Sequence, residues 1–421
     1  MLTELPFFCV NDSDLLKLLN IEPCSNFSNN LTSEQSFRNC LYTLSKEPLL
    51  KSLDTAYYTS DEFINKARRD RINLELSIFH VNIHSLNAKH LDLCMFIDLL
   101  DIEFDVLILS EIWSYNIEFY NNIFDGYSFY YELPKTSSVG GVGMYIRKNM
   151  FCKNRYDLHL QSSSNLQVEN LWFEIRKNKR RYIIGGIYRH PHGNIEAFSE
   201  KFELTLGKIS RKKTPSVIAG DININLLQVE INKTVEKYVN ILFSNNFLPV
   251  ILLPTRITAV SSTLIDHIYY YQGRNNTRQL GLRTGNLLSD LSDHLPVFSF
   301  LSNVSSRINL KDRPLIRLFT NSNKLKFKHC LSNIEWSNIL YNNNNVNECY
   351  NNFISAVTEH YEICFPLTRQ SRRACREKKR ITKGLRICSR RKEKLFKKWI
   401  LSKNDVDKIN YLAYKKNILK L

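Results

Sequence analysis

The sequence predicts an α/β or α+β sandwich over its middle, from Leu74 to about Leu301. Three observations carry that expectation. Strand-like apolar runs alternate with helical patterns through this stretch. Hydrophobic residues make up 43% of the 421-residue chain, which suffices for at least one large core. Several apolar runs also stop at a carboxylate, an amide or a phenol, and open sheets gather their chemistry at strand ends.

The elements follow in order. Residues 1–72 are polar and rich in Asn and Ser, with one short helical piece at Leu15 to Leu19, so they read as a poorly ordered or interaction segment. Leu76 to Val81 is a strand ending at Asn82, and His90 to Leu100 places Leu91, Cys94, Met95, Asp98 and Leu99 at helical spacing. Val106 to Leu109 ends at Ser110-Glu111, and a glycine turn from Ser137 to Gly143 leads into the strand Met144 to Ile146. Tyr182 to Ile187 ends at Tyr188-Arg189, and Val217 to Ala219 ends at Gly220-Asp221-Ile222-Asn223. Val235 to Phe243 is helical in pattern, Asp266 opens an apolar run, and Ser292-Asp293-His294 precedes the strand Leu295 to Leu301. The expected core domain is therefore 73–302.

Residues 303–368 read as a linker to about 330, a low-complexity loop at Asn342 to Asn345, and an amphipathic helix from Asn351 to Tyr361 broken by Pro366. Residues 369–421 form a basic helical extension with Leu385, Ile387, Leu395, Phe396, Trp399 and Ile400 among its charges. It holds 20 Lys/Arg and 4 Asp/Glu, a net of +16 out of +17. The rest has 38 basic against 37 acidic residues. A near-neutral body with a basic tail predicts a polyanionic partner, and predicts that cleavage and anchoring separate on truncation after about residue 305. A solvated basic helix is the plainer explanation of the charge, and the alternative to separation is that the tail helices pack on the body through Leu395, Phe396, Trp399 and Ile400, so that truncation exposes apolar surface and the fragment aggregates.

The ten cysteines form no C-x-x-C pair, which argues against zinc and for a reduced, intracellular protein. The N-terminus lacks a basic start and a signal-length apolar run. Phe247 to Leu253 is the nearest approach to a membrane span and is too short.

Two carboxylates, an Asp with a nearby Asn, and an Asp-His pair are what metal-assisted phosphodiester hydrolysis requires. Asp221 can orient or deprotonate water, and Asn223, two residues on, can face the same pocket and hold a phosphate oxygen. A buried Asp266 beside His294 would fix its tautomer and favour the imidazolium. Adjacent residues of an extended chain point apart, so Asp293 and His294 need a bend to share a site. Glu111, flanked by apolar residues, is costly to bury unless it is paired or binds a cation, and hard oxygen ligands favour Mg²⁺. Asn82 can brace Asp221. Singly, each has a bland reading: an Asx turn at Asp221, a turn Asp with a surface His at 293–294, and a strand-edge Asp266.

Phe79-His80-Val81-Asn82, Leu109-Ser110-Glu111, Gly186-Ile187-Tyr188-Arg189, Gly220-Asp221-Ile222-Asn223, Leu264-Ile265-Asp266 and Ser292-Asp293-His294 together resemble the endonuclease/exonuclease/phosphatase family, over roughly 74–302. Within it the chain looks like the apurinic-type endonuclease of LINE-type non-LTR retrotransposons: Tyr188 stands where phosphatase branches place a His, and Thr263-Leu264-Ile265-Asp266 is similar to the retroelement S/T-x-I-D block. Lys379 to Leu385 resembles the segment linking endonuclease to reverse transcriptase in jockey-like elements, and no Tyr-x-Asp-Asp polymerase block is present. The resemblance implies a four-layer sandwich of two mixed sheets flanked by helices, and a Mg²⁺-dependent nuclease (Mn²⁺ as substitute) that nicks one DNA strand to leave a 3′-hydroxyl. It places Glu111 and Asp293 at the metal, Asp221 on the water with Asn82 and Asn223 positioning, His294 oriented by Asp266, and Tyr188 on the phosphate. His84 falls where many members carry a polar metal-shell residue, and Arg189-His190-Pro191-His192 where repair enzymes carry an Asn. DNA is the implied partner, with element RNA on the basic segment and access to the nucleus. The rivals are a phosphomonoesterase or phospholipase of the same fold, and an inactive nucleic-acid-binding fragment.

Overall fold

A computed structural model describes residues 37–418, apart from short internal stretches of which 274–279, 304–314 and 370–381 are the longest. Its first sheet runs β1 (Tyr57–Tyr58), β14 (Leu280–Leu287), β15 (Val297–Asn303), β2 (Leu74–Asn82), β3 (Val106–Ser110), β5 (Val142–Arg147) and β4 (Tyr127–Glu132). The second runs β10 (Leu248–Pro249), β13 (Asp266–Tyr271), β9 (Ser216–Asp221), β8 (Arg180–Arg189), β7 (Val168–Lys177) and β6 (Phe151–Asn154). A small hairpin pairs β11 (Arg256–Ile257) with β12 (Ser262–Thr263). Both sheets are mixed: β2 with β3, and β8 with β9, run parallel, while β13 with β9 and β15 with β2 run antiparallel.

Period-two alternation sorts each strand onto two faces. On β2, Leu76 and Ile78 join the large central core, whereas Phe79 and Val81 pack outward. The same alternation puts His80 and Asn82 on the inner side. Gly186 of β8 lies against Ile108, Val142 and Met144 of the first sheet, and a Cβ there would sit 2.9 Å from Met144 Cε. That glycine lets the sheets close on each other.

Helices form the outer layers. Ser60–Asp70 and Leu86–Leu99 bury Phe63, Leu93 and Phe96 against the first sheet. Ile195–Lys212 and Lys233–Ser244 bury Phe198, Phe202, Val235 and Tyr238 against the second, where Tyr238 donates to Tyr269 Oη at 2.9 Å. The four-layer sandwich with two mixed sheets holds. The predicted stripe on the helix Leu86–Leu99 holds only at Leu99: Leu91 is 67% and Met95 46% exposed, and the buried set is Leu86, Leu93, Phe96, Ile97 and Leu99. Apolar residues run round most of that helix, so spacing alone does not choose its buried side.

The expectation that 1–72 lacks order needs correction. Residues 1–36, with Leu15 to Leu19, lie outside the described residues. Residues 37–45 are helical, Phe37, Leu41, Leu50 and Leu53 are buried in the central core, and β1 extends the first sheet. A few well-spaced apolar residues suffice to anchor this polar segment.

The basic segment follows the alternative in which its helices pack on the body, rather than the separable anchor. Helices Lys383–Ser402 and Asp405–Ile418 belong to the same compact unit as the sandwich. Phe396, Ile400 and Tyr411 bury against Leu288 and Leu295, with Leu395 and Trp399 alongside. Asp290 binds Lys392 at 2.7 Å, Lys415 at 3.0 Å and the Tyr411 hydroxyl at 2.8 Å. Arg390 pairs with Asp61 and Lys397 with Glu62. Buried Glu393 accepts from Ser60 Oγ at 2.6 Å and from its backbone N–H at 3.0 Å. Three acids of the body, Asp61, Glu62 and Asp290, thus pair with four of the tail's cations, and the tail docks on the body through packing as well as charge.

Residues 307–382 form a second unit. Here β16 (Leu315–Arg317) pairs with β17 (Leu367–Arg369), beside helices Asn321–Ser332, Trp336–Leu340 and Val346–Cys364, and the rings of Phe319, Phe327, Tyr361 and Phe365 contact one another. The linker expected to about residue 330 therefore contains a helix, whose polar composition and lack of buried residues left no periodic signal. No helix among the described residues is long and apolar enough to cross a membrane.

Truncation after residue 306 will uncover Leu288 and Leu295 and strip Asp290 of its partners. The fragment is expected to aggregate or to melt several degrees below the full chain, as a loss of roughly 1–3 kcal/mol would produce. Size-exclusion chromatography with thermal unfolding checks this, and a monomeric fragment of unchanged Tm would contradict the packing.

Candidate active site

Strand register assembles the site. Asn82 at the end of β2 lies opposite Ser110 at the end of β3. Tyr188 on β8 lies opposite Asp221 at the end of β9, which in turn faces Asp266, the first residue of β13. Inward alternation on each strand points these side chains into one seam between the sheets. Glu111 follows Ser110 directly with φ 55°, a left-handed conformation that a non-glycine residue adopts only under constraint.

Asn82 is the hub. Its Nδ2 donates to Glu111 Oε1 at 2.8 Å and to Asp221 Oδ2 at 2.9 Å, and its Oδ1 accepts the His84 N–H at 3.1 Å. One amide thus ties three segments together with its carboxylate-facing side fully buried. The Tyr188 hydroxyl donates to Glu111 Oε1 at 3.2 Å, so in this state it serves the carboxylate expected to hold the metal. Burial, then Glu111 and Asp221, push the phenol far above its usual pKa, and it remains a neutral donor.

Asn223 also has φ 53°, and its N–H donates to Asp221 Oδ1 at 3.0 Å. This is the Asx turn of the bland reading, and here it aims the catalytic candidate rather than replacing it. The Asn223 amide donates to Arg189 O at 2.8 Å, so one of its N–H groups is already committed. Buried Arg189 holds the loop from beneath, donating to Ile222 O at 2.6 Å and Asn223 O at 2.8 Å.

The bend needed at Asp293-His294 comes from Ser292. Its hydroxyl donates to Asn82 O at 2.6 Å and accepts the His294 N–H at 3.1 Å. His294 then bridges to Arg256, and Leu295 N–H donates to Thr255 O at 2.7 Å. The imidazole swings inward and its Nδ1 meets Asp266 Oδ2 at 2.8 Å. Asp293 points the other way: its Oδ2 takes Arg256 Nε at 2.8 Å and Nη2 at 2.7 Å, while Oδ1 lies 3.9 Å from His84 Nδ1.

The electrostatics divide the acids. Burial, then the neighbouring Asp266 charge, push the Asp221 carboxyl up to about 7, against the pull of His294 and Asn82. Burial also pushes Asp266 up, but the His294 imidazolium outweighs it and holds Asp266 below the usual carboxylate range. For His294, burial opposes the charge, yet Asp266, then Asp221 and Asp293, raise it to about 10. A base near neutrality beside a fixed imidazolium suits proton abstraction next to a developing negative charge.

Two places suit a cation. Ligand atoms of Asp221, Asp266 and His294 all lie within 4.8 Å of one another, but His294 already balances that cluster. Glu111 is the better candidate. Its Oε1 is held by two neutral donors, its Oε2 faces His84 Nδ1 at 3.6 Å, and no Lys or Arg pairs with it among the described residues. A nearly buried carboxylate without a cation is what a hard divalent ion completes.

All eight sequence candidates, Asn82, Glu111, Tyr188, Asp221, Asn223, Asp266, Asp293 and His294, fall in or beside this seam. Sequence reasoning missed His80, Ser110, Arg189, Thr255, Arg256 and Ser292 as supports. Only His80 and Ser110 carried a usable signal, being polar residues on the inner face of otherwise apolar strands.

A family model described as the Endonuclease/Exonuclease/phosphatase family matches residues 79–294, just over half of the chain. No curated protein matches the sequence. Among solved structures, the endonuclease domain of TRAS1, a telomere-specific non-LTR retrotransposon, is similar at 14% identity and TM-score 0.41, over 54% of this chain and 98% of that one. The Xenopus laevis APE2 catalytic domain is similar at 16% identity and TM-score 0.41, over 55% and 94%. The human Nocturnin catalytic domain is similar at 16% identity and TM-score 0.40, over 56% and 96%. With six motif blocks inside the matched span and their side chains converging on one seam, the chain belongs to the Endonuclease/Exonuclease/phosphatase family.

Proposed function

We propose that this chain is a Mg²⁺-dependent DNA endonuclease that hydrolyses a phosphodiester to nick one strand and leave a 3′-hydroxyl, as in target-site nicking by a LINE-type, jockey-like retroelement. The observation that carries this reading is the Asn82 amide bridging Glu111 and Asp221 beside the Asp266–His294 pair. Asp221 takes the proton of the attacking water, and its raised pKa suits that task near neutral pH. Asn82 holds the Asp221 oxygen in place. The His294 imidazolium, fixed by Asp266, stabilises negative charge on the phosphoryl oxygens and is placed to protonate the leaving oxygen. Glu111 would hold the divalent ion, which supplies Lewis-acid stabilisation of the phosphoryl group. Asp293, tethered by Arg256, keeps Oδ1 for the metal shell or for its water, with His84 between the two carboxylates. Tyr188 keeps Glu111 in place and can transfer its hydrogen bond to a phosphate oxygen when substrate arrives. DNA is the partner this chemistry fits, and cations of the helical extension not paired to the body offer contacts to DNA or element RNA.

Supercoiled plasmid with Mg²⁺ tests the reading. The wild type is expected to yield nicked circles, abolished by EDTA. Asp221→Asn keeps shape but loses the base, and should nick roughly 10²–10⁴-fold more slowly with DNA affinity retained. The wild-type rate should rise with pH along an acid limb above the usual carboxylate range, because Asp221 acts only when deprotonated. No nicking, release of phosphate from monoesters instead, or full activity in Asp221→Asn would overturn it.

Glu111→Gln removes the negative charge offered to the metal. The Mg²⁺ concentration for half-maximal nicking should rise by about tenfold or more, since a neutral amide is the poorer ligand for a hard cation. A fall in maximal rate with metal dependence unmoved would exclude Glu111 as a ligand.

A further inference from the structure

Below the site, His80 has no assigned task. The residue is fully buried on the inner face of β2. Its Nε2 lies 3.1 Å from Ser110 Oγ, and its Nδ1 lies 4.0 Å from Asp266 Oδ1. Neither His80 Nδ1 nor Asp266 Oδ1 has a hydrogen-bond partner, and Asp266 is also fully buried. Leaving such an atom unpaired is costly, and more so when it is charged. Two of them facing one another are therefore each other's natural partner. A separation of 4.0 Å is shorter than the roughly 4.5 Å that a water with two hydrogen bonds of ordinary length and tetrahedral angle would span. A shift of the ring by about 1 Å would bring the two atoms to hydrogen-bond distance.

Donor and acceptor directions agree along the whole chain of groups. The Asp221 N–H donates to Ser110 Oγ at 3.3 Å. The Ser110 hydroxyl is then free to donate to His80 Nε2, which leaves the ring proton on Nδ1, aimed at Asp266. Burial keeps this imidazole neutral, so it carries one proton only. Asp266 Oδ2 meanwhile receives His294. The path passes from β9 to β3, to β2, to β13 and on to the 292–294 loop, so it crosses between the sheets twice.

We propose that His80 is a positioning residue: its Nδ1–H holds Asp266 Oδ1, so that Oδ2 stays aligned on His294 and the two halves of the site keep one register. The inference rests on the nuclease reading above for its kinetic test, and on geometry alone for a second test.

Asn places its amide nitrogen near the position of imidazole Nδ1, whereas Gln places it near Nε2. His80→Asn, His80→Gln and His80→Leu therefore separate the two contacts. In plasmid nicking, His80→Leu and His80→Gln should lose about 10–100-fold in kcat with KM within about twofold, because only the alignment of His294 in the transition state suffers. His80→Asn should recover most of that loss. Equal losses in all three variants, or losses confined to KM, would overturn the proposal.

The second test does not depend on activity. A double-mutant cycle on unfolding, with His80→Leu, His80→Asn and Asp266→Asn, should show coupling between residues 80 and 266 of about tenfold in the unfolding constant for Leu and much less for Asn. Additive effects would overturn the contact. A cycle that shows coupling in a protein that never nicks DNA would mean that the functional reading fails while the His80 contact stands.

Discussion

Asp221 and Asp266 face each other across neighbouring antiparallel strands, and neither has any exposed surface. Like charges directly opposite in a sheet destabilise it, and burial adds a larger desolvation cost. The site is organised around resolving this conflict. Asp266 stays ionised by binding the His294 imidazolium, and Asp221 becomes the weak acid of the pair, steadied by the Asn82 amide. One strand pair thereby yields a fixed cation and a tunable base within a few ångströms. The same logic explains why polar supports cluster beneath: Thr255 Oγ1 accepts the Asp266 N–H at 3.1 Å and Ser110 Oγ the Asp221 N–H at 3.3 Å.

The fold provides this by bringing strand ends from two sheets to one seam, and the backbone shows the constraint. His84, Ser85, Glu111, Trp113 and Asn223 all adopt positive φ, and all lie on the loops that leave those strand ends. Asn82 bonds to Glu111 and to Asp221, and Ser292 bonds to the Asn82 carbonyl, so the turns brace each other. Leu288 and Leu295 flank the loop that carries His294 and rest on the C-terminal helices, which links the basic segment to the site through packing as well as charge.

Much of this was legible in the sequence. The strand ends Asn82, Glu111, Tyr188, Asp221 and Asp266 stand out because a polar residue that terminates an apolar run is easy to see, and their order resembles one family. Inward alternation from Asn82 back to His80 was equally visible, but nothing local says that Asp266 is opposite. That contact joins residues 186 positions apart in the chain, and sequence spacing carries no such information. The tethering of Asp293 by Arg256 is likewise set by the β11 hairpin, whose two-residue strands leave almost no pattern. In the basic segment the apolar residues at helical spacing signalled docking, but not where: the acids that pair with some of its cations, Asp61, Glu62 and Asp290, lie far away in the chain.

His294 held as an imidazolium by a buried, ionised Asp266 is the interaction on which the rest of the site depends. Heteronuclear NMR of the histidine rings across pH tests it directly, with His294 assigned through His294→Gln. The prediction is a His294 ring that keeps both protons through at least pH 8, consistent with a pKa raised to about 10, and that loses this stability in Asp266→Asn. A His294 that titrates near 6.5 in the wild type, as an isolated histidine does, would contradict the ion pair and the division of labour built on it.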